Sequence, residues 1–254
     1  MDKPAVSVVI SCYNAQSTII AAMDSLIDQS LRQIEIIVID DASTDNTLDI
    51  LNQYASKDAR ITILTNQVNR GLSYSLNRGI DATKSDIIAR MDADDVSHLN
   101  RLKKQYDYMI AHPDIDILGS GVRYKDEQGH HIKDQILPSN HEEIIKRLFK
   151  KTLVFHPTIM IKKSVYQQYG NYDENLRWAE DSDLWYRIYD KVCFHNLPET
   201  LLDYTLKSNL NKKIVLNNLR VKWINLCKTG MVLSYLPYLL KDLITLGLRS
   251  VKNY

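Results

Sequence analysis

The stretch IIARMDADD, residues 87–95, carries the strongest indication of fold and function in this 254-residue chain. A short apolar run typical of a buried strand ends in three carboxylates, Asp92, Asp94 and Asp95. Acids crowded at one strand end repel one another unless a cation neutralises them, and Arg90 is the only basic residue within the stretch. Carboxylate oxygens at this spacing suit Mg²⁺ or Mn²⁺. The competing interpretation is a helix start, where aspartates are common in the first turn.

Strand and helix patterns alternate along the first half of the chain. Four apolar, mostly β-branched runs predict buried strands, and they occupy residues 6–10, 34–39, 61–64 and 87–91. Apolar side chains at helical spacing follow each run and predict four helices. This alternation predicts an α/β fold with a mostly parallel central sheet and helices on both faces. Ligands of such sheets bind outside the carboxyl ends of the strands, where the polar clusters of this chain fall.

Composition fits one sizeable globular domain with an appendage. The chain is 44% apolar and 25% charged, and its net charge of +1 gives no reason to expect nucleic acid as a partner. The three cysteines, Cys12, Cys193 and Cys227, are far apart in sequence, so neither a zinc site nor a disulfide framework is predicted. We therefore expect a reduced, cytoplasmic setting. The N-terminus lacks the pattern of a signal peptide, and no run before residue 230 is long enough for a membrane span.

The loop after the first predicted strand excludes several classes of nucleotide-using protein. Its sequence, SCYNAQ at residues 11–16, contains no glycine. A dinucleotide-binding fold has a GxGxxG turn at this place, and a nucleotidyltransferase that makes sugar nucleotides is expected to have a glycine-rich loop there. The chain has no GxxxxGK[ST] phosphate loop either. These three classes are therefore disfavoured together.

Five segments, taken in order, resemble the inverting family 2 of GT-A glycosyltransferases, in particular enzymes of the bacterial surface-polysaccharide type. The segments are VSVVISCYN (6–14), IIVIDDASTD (36–45), NRGL (69–72), MDADD (91–95) and AEDSDLW (179–185). Each segment alone is weak evidence for this family, but five segments in the family's order and spacing are specific evidence for it. The resemblance implies a Rossmann-like GT-A domain over residues 1–205 and a hexosyltransferase that uses a nucleotide sugar.

The resemblance implies a nucleotide site at Ser11, Tyr13, Asp41 and Asp92. Tyr13 offers a flat face for stacking on a pyrimidine, and Asp41 can accept a hydrogen bond from the ring N–H of uracil, which favours a UDP-sugar. Each residue also has a simpler interpretation. Tyr13 could be a half-buried packing residue, and Asp41 could hold a turn or cap a helix.

The resemblance also identifies the acids after the fourth strand with the family's DxD motif. It implies that Asp94 ligates Mn²⁺ or Mg²⁺, and that Asp92 contacts the ribose or the water shell of the metal. Asp95 then either supports these two acids from behind or begins the next helix. The metal is expected to bridge the diphosphate of the donor. Arg70 and Arg90 are auxiliary candidates for phosphate contact, with a role as surface cations or ion-pair partners as the alternative.

The AEDSDLW segment resembles the family's ED motif, which implies that Asp181 is the general base and that Glu180 assists it. An acid-rich helix N-terminus explains the same residues without catalysis, because the helix dipole favours it. Trp178 and Tyr172 are candidates for stacking on the acceptor sugar, or else core residues. His156 is a candidate for contact with the metal or the diphosphate, although a hydrogen-bonded histidine at a strand edge is the favoured interpretation.

Residues 206–254 differ in character from the preceding domain. From residue 207 onward they contain nine basic residues and one acid, among leucines, tyrosines and a tryptophan. Pro237, Lys241 and Asp242 interrupt the apolar run, so it makes a poor membrane span. We predict a basic, apolar helical extension that lies on anionic lipid. Packing of this extension against the catalytic domain is the alternative.

These observations together predict a metal-dependent, inverting glycosyltransferase. It would move a sugar from a nucleotide sugar, with UDP favoured, to a hydroxyl of a glycan acceptor. The expected acceptor is a lipid-linked surface polysaccharide at the inner face of the cell membrane. Two alternatives stay open. A polyprenyl-phosphate glycosyltransferase has the same fold but an acceptor that is already anionic, and a non-catalytic nucleotide-sugar-binding module would need none of the intact acids.

Overall fold

The computed structural model of the protein describes residues 3–147, 150–206 and 212–229, with side chains in the last range at 216 and 218–228. Its strands are β1 (Val6–Cys12), β2 (Ile34–Asp40), β3 (Ile61–Thr65), β4 (Ile87–Asp92), β5 (Val96–Ser97), β6 (Ile117–Lys125), β7 (His131–Gln135), β8 (Met160–Lys162) and β9 (Phe194–Thr205). Its helices are α1 (Ile19–Ile27), α2 (Thr47–Ala55), α3 (Leu72–Ala82), α4 (Arg101–Ala111), α5 (His141–Ile145), α6 (Lys163–Tyr169), α7 (Glu180–Ile188) and α8 (Lys212–Thr229).

The strands form one sheet in the order β3-β2-β1-β4-β8-β6-β9-β5, with β7 paired to β6. The pairs β2–β3, β1–β2 and β1–β4 are parallel, as the alternating pattern predicted. Beyond β4 the sheet is mixed, because β8 pairs antiparallel with both β4 and β6, whereas β6 and β9 are parallel. The α/β prediction is confirmed, and the parallel arrangement holds for the four strands from which it was inferred.

The central strands are continuous apolar runs because helices cover both faces of the sheet. Val8 of β1 and Val38 of β2 pack in one apolar cluster together with α1, whereas Val9 and Ile39 pack in the other together with α3. The helix α3 lies so close to the sheet that a Cβ atom on Gly79 would stand 2.5 Å from Cγ1 of Val9. Glycine at this position therefore permits the close approach of helix and sheet.

The carboxyl ends of β1, β2 and β4 meet at one edge of the sheet. Ser11 is in register with Asp92 on β4, and Cys12 is in register with Asp40 on β2. The interpretation of the acids after β4 as a helix start is wrong. The short strand β5 follows them, and α4 begins only at Arg101, six residues after Asp95.

The described part of the C-terminal extension is helix α8, which packs against α7. Val221 and Leu226 are buried, and the amide of Asn225 donates a hydrogen bond to Oδ1 of Asp183 at 3.5 Å. This face of α8 therefore packs on the catalytic domain. The prediction for residues 230–254 lies outside the described residues. Within the described ranges, no helix is both long and apolar enough to cross a membrane.

Candidate active site

Tyr13 stands at the carboxyl end of β1 with half of its surface exposed, at 50%. It lines a cleft of about 620 Å³ together with Ser11, Asp92 and Asp94. It also lines a second cleft of about 560 Å³, on the side of Arg70. Its exposure to two clefts does not match the interpretation of Tyr13 as a packing residue, and its role in nucleotide binding stays a prediction.

Asp41 is buried and holds the loop that precedes α3. Its Oδ1 accepts hydrogen bonds from the Asn66 amide at 2.6 Å and the Arg70 backbone N–H at 2.8 Å, and its Oδ2 accepts from the Gly71 N–H at 2.8 Å. Gly71 has φ +88°, a conformation that a larger residue rarely adopts. The structure therefore agrees with the interpretation of Asp41 as a residue that holds a turn. A carboxylate has about four acceptor positions, and this loop uses three of those of Asp41.

The three acids after β4 form a compact cluster. Single oxygens of Asp92, Asp94 and Asp95 all lie within 4.8 Å of one another. Asp92 accepts two hydrogen bonds from the guanidinium of Arg90, one of them at 2.8 Å. Asp95 is buried, and only its Oδ1 has a hydrogen-bond partner among the described residues, the backbone N–H of Thr205 at 3.1 Å.

Electrostatics indicate that this cluster can hold a cation. Burial and the charges of Asp92 and Asp94 together raise the pKa of Asp95 to about 9. The buried Oδ2 of Asp95 has no hydrogen-bond partner among the described residues, so the cluster has an acceptor oxygen to offer a cation. Asp92 and Asp94 line the cleft and Asp95 lies behind them. The donor set fits Mg²⁺ or Mn²⁺, with Asp94 and Asp92 as the accessible ligands.

Two buried arginines lie beneath the acids, and the sequence indicated only one of them. Arg90 is engaged by Asp92, which matches the ion-pair interpretation. Burial tends to lower its pKa, but Asp92 and Glu180 hold that pKa above its ordinary value. Arg101 is fully buried at the start of α4 and donates from Nη2 to the carbonyl oxygen of Arg90 at 2.7 Å. Burial lowers its pKa to about 9.

Arg70, the other candidate for phosphate contact, lies apart from this charge cluster. Its guanidinium stands over the ring of Tyr74, 4.6 Å from the ring centroid, in a cation–π contact. It lines the second cleft beside Tyr13. Its location fits contact with the donor from the side of the base rather than from the side of the metal.

The ED motif begins helix α7 and lies against the end of β4. Burial raises the pKa of Glu180 to about 7, and the neighbouring Asp181 adds to this shift. Burial also raises the pKa of Asp181, with Asp92 adding to it and Arg90 opposing it. Asp183 makes an ion pair with Arg187 at 2.8 Å, which is the structural role expected of an acid in a first turn. Oδ1 of Asp181 accepts the backbone N–H of Ser182 at 2.6 Å, and the catalytic roles of Glu180 and Asp181 stay predictions.

Three other candidates have different outcomes. The ring nitrogen Nε2 of His156 hydrogen-bonds to the Tyr172 hydroxyl at 2.8 Å, as the favoured interpretation of this histidine predicted. Tyr172 is only 4% exposed, so the suggestion that it stacks on a sugar is wrong, and it is a core residue. Trp178 is partly exposed, with the guanidinium of Arg177 at 5.6 Å from its ring centroid, and its acceptor role stays a prediction.

Strained backbone marks the same loops. Among the described residues, the non-glycine residues with positive φ are Asn14, Ala42 and Ala179. Asn14 directly follows Tyr13, Ala42 directly follows Asp41, and Ala179 directly precedes Glu180. Asparagine adopts this conformation readily, whereas for each of the two alanines it costs about 1–2 kcal/mol and persists only where the surroundings enforce it. Such strain is typical of functional sites, and no pattern in the sequence indicated it.

Comparisons with known proteins agree with this geometry. Residues 7–170 match the family model described as Glycosyl transferase family 2. The chain is 35% identical over 217 residues to the O-antigen biosynthesis glycosyltransferase WbnJ of Escherichia coli, covering 83% of each chain. It superimposes on S. aureus TarS 1-349 in complex with UDP-GlcNAc with a TM-score of 0.69 at 19% identity, covering 87% of this chain and 66% of that chain.

A further solved structure, mannosyltransferase PcManGT from Pyrobaculum calidifontis in complex with GDP-Man and Mn²⁺, has a TM-score of 0.67 at 15% identity. The match covers 90% of this chain and 65% of that one. The chain therefore spans slightly less than two thirds of both solved chains. At these identities the two structures establish the fold.

Proposed function

The chain belongs to glycosyl transferase family 2 and has the GT-A fold, and from that premise we propose that it transfers a sugar from a nucleotide sugar to a hydroxyl of a glycan acceptor. One observation carries the proposal. Tyr13, Asp92 and Asp94 line the same cleft, and the charges of Arg90 and Asp92 act on the carboxyl of Asp181 and shift its pKa. A surface for stacking of the nucleobase, a candidate metal site and a candidate general base are thus associated with the carboxyl ends of two neighbouring strands, β1 and β4.

The donor is proposed to be a UDP-sugar. TarS is solved with UDP-GlcNAc and PcManGT with GDP-Man, so the fold alone does not select the base. Support for uracil comes from Tyr13, whose ring is open, and Asp41, whose carboxylate has one acceptor position left. A uracil ring N–H can donate to that position, whereas the ring nitrogen of cytosine cannot.

Nucleotide binding tests this donor assignment. We expect UDP to bind more tightly than GDP or CMP in calorimetric titrations with Mn²⁺ present. Replacement of Asp41 with alanine removes an acceptor to the base and releases the Arg70–Gly71 loop, so UDP affinity should fall roughly tenfold or more. Asp49→Ala, an exposed acid on α2, is the matched control and should bind UDP normally. Tighter binding of GDP than of UDP would contradict the assignment.

Asp181 is proposed to act as the general base. Its carboxylate would take the proton of the acceptor hydroxyl as that oxygen attacks the anomeric carbon, and the nucleotide diphosphate would leave on the opposite side. A single in-line displacement of this kind inverts the anomeric configuration. A raised pKa makes Asp181 a stronger base than an exposed aspartate, while Arg90 helps to keep it ionised.

Asp94 and Asp92 are proposed to hold Mn²⁺ or Mg²⁺. When bound, the ion would neutralise the charge that develops on the leaving diphosphate. Arg90 fixes the carboxylate of Asp92 through two hydrogen bonds, and Arg101 in turn anchors the backbone of Arg90. These contacts pre-orient the ligand set on the end of β4.

The acceptor is proposed to be a lipid-linked surface polysaccharide at the inner face of the cell membrane. WbnJ is named for O-antigen biosynthesis, which supports a polysaccharide acceptor. Helix α8 supports the membrane setting, since it contains no acid and its basic residues Arg220 and Lys228 are exposed. Opposite its buried face, α8 exposes Leu216, Trp223 and Ile224 beside Arg220 and Lys228. Apolar, aromatic and basic side chains on one face suit an anionic lipid surface.

Vesicle flotation tests the membrane proposal. The full chain should float with phosphatidylglycerol vesicles but not with phosphatidylcholine vesicles, and high salt should weaken binding because it screens surface charge. Trp223→Ala should lower the bound fraction roughly fivefold to tenfold, because the indole loses its burial in lipid. Ile110→Ala, at an exposed position of α4, is the control and should float normally. The proposal fails if the full chain stays with the unbound fraction or if Trp223→Ala floats unchanged.

A further inference from the structure

A chain of buried polar side chains lies behind Glu180, and the proposed mechanism does not use it. The hydroxyls of Tyr166 and Tyr172 are 3.0 Å apart, and the Tyr172 hydroxyl is 2.8 Å from Nε2 of His156. The other ring nitrogen, Nδ1, is 3.7 Å from Oε1 of Glu180. All four residues are more than nine-tenths buried. The chain therefore runs from α6 through the core to the first turn of α7.

The direction of the hydrogen bonds follows from the charge states. Burial keeps the pKa of His156 well below 6.5, and Arg90 lowers it further, so the imidazole is neutral and has one N–H. Above its pKa of about 7, Glu180 is ionised and can only accept, which places that proton on Nδ1. Nε2 then accepts from the Tyr172 hydroxyl, and Tyr172 accepts from Tyr166. Each donor thus points towards Glu180.

The chain is anchored at Tyr172, and the other side-chain support of the first turn of α7 comes through Asp183, which pairs with Arg187 and accepts a hydrogen bond from Asn225. Asn77 on α3 donates from Nδ2 to the carbonyl oxygen of Tyr172 at 2.9 Å and accepts from its backbone N–H at 3.1 Å. By contrast, Ala179 at the N-terminus of α7 has φ +67° and provides no side-chain cap. A contact that fixes Glu180 would therefore also fix the adjoining Asp181.

We propose that His156, oriented by Tyr172 and Tyr166, is a positioning residue that holds the carboxylate of Glu180 and thereby sets the orientation of Asp181. For its effect on turnover, the inference rests on the proposed function. The 3.7 Å separation exceeds the usual N–H···O length of about 2.9 Å, and such contacts often tighten when substrate binds.

Two isosteric variants of His156 test the proposal. The amide nitrogen of His156→Asn occupies the place of Nδ1 and can still donate towards Glu180, whereas His156→Gln reaches only the place of Nε2. With the UDP-sugar that the wild type hydrolyses fastest, His156→Gln should lower kcat roughly 10- to 100-fold at unchanged donor KM, because a hydrogen bond to a charged group is lost. His156→Asn should stay within about threefold of wild type, the loss expected when the hydrogen bond is kept. Both variants remove the ring and should lower Tm alike.

A second measurement does not depend on activity. In ¹⁵N-histidine-labelled protein, the ring shifts show which nitrogen carries the proton, and comparison with His156→Asn assigns the signal. At pH 8, where Glu180 is ionised, we expect a neutral ring protonated at Nδ1. A ring protonated at Nε2, or equal kcat values for His156→Gln and His156→Asn, would overturn the proposal. If the wild type hydrolyses no nucleotide sugar, the proposed function fails. The ¹⁵N shifts then show independently whether His156 directs an N–H towards Glu180.

Discussion

Replacing Asp94 with asparagine is expected to lower sugar transfer at least about 100-fold, because loss of a hard-ion ligand removes several kcal/mol of charge stabilisation at the leaving diphosphate. Asparagine keeps the size of the side chain, so the protein should stay folded. Chelation of divalent ions should have the same effect on the wild type. The measurement is initial-rate kinetics with Mn²⁺ or Mg²⁺ and with excess chelator, together with thermal unfolding.

The matched control for this substitution is Asp49→Asn. It removes the same charge from an exposed site on α2, away from the end of β4, and should leave the rate unchanged. Full activity of the wild type in excess chelator would contradict the metal assignment. So would an Asp94→Asn enzyme that still binds Mn²⁺ with wild-type affinity in a calorimetric titration.

Asp181→Asn is expected to lower kcat by roughly 100- to 10,000-fold, the usual contribution of a general base. Affinity for UDP should be nearly unchanged, since in the proposed mechanism this residue acts on the acceptor oxygen and does not bind the nucleotide. The variant Asp183→Asn distinguishes a role of Asp181 as general base from the interpretation in which the acids only stabilise the helix N-terminus. It removes a charge from the same turn and the ion pair with Arg187, so it should lower stability while leaving kcat close to wild type.

Two results would contradict the role of Asp181. One is an Asp181→Asn enzyme with wild-type turnover, and the other is an enzyme that no longer binds UDP. The first result would favour transfer to a polyprenyl phosphate, whose oxygen is already anionic and needs no base. Product stereochemistry gives a further check, because a single displacement on an α-linked donor should yield a β-linked product.

The parallel half of the fold was predictable because its strands are buried on both faces. The runs at 6–10, 34–39, 61–64 and 87–91 are apolar without alternation, and each became a strand within one or two residues of its predicted ends. The mixed half was not predictable in this way. Its strands are short or interrupted, such as β8 with three residues, and their partners are distant in sequence. Periodicity within a segment carries no information about such pairings.

At the site, the sequence indicated which side chains are chemically capable but not which neighbours surround them. Arg101 was not singled out by any motif, yet it is fully buried and donates a hydrogen bond to the carbonyl oxygen of Arg90. Tyr172 looked available to a sugar, but Asn77 and His156 bind it within the core. Asp41 already accepts three hydrogen bonds from the loop after β3. Each of these facts depends on packing between segments far apart in sequence.

The most direct test of the proposed function is release of nucleotide from a panel of UDP-, GDP- and CMP-sugars by the wild-type protein with Mn²⁺ present. Parallel reactions would use Asp94→Asn, Asp181→Asn and Asp49→Asn. We predict release from at least one UDP-sugar by the wild type and by Asp49→Asn, abolition by chelator, and loss of release in the other two variants. A wild type that binds UDP but releases no nucleotide from any donor, with or without metal, would contradict the account and leave a non-catalytic binding module.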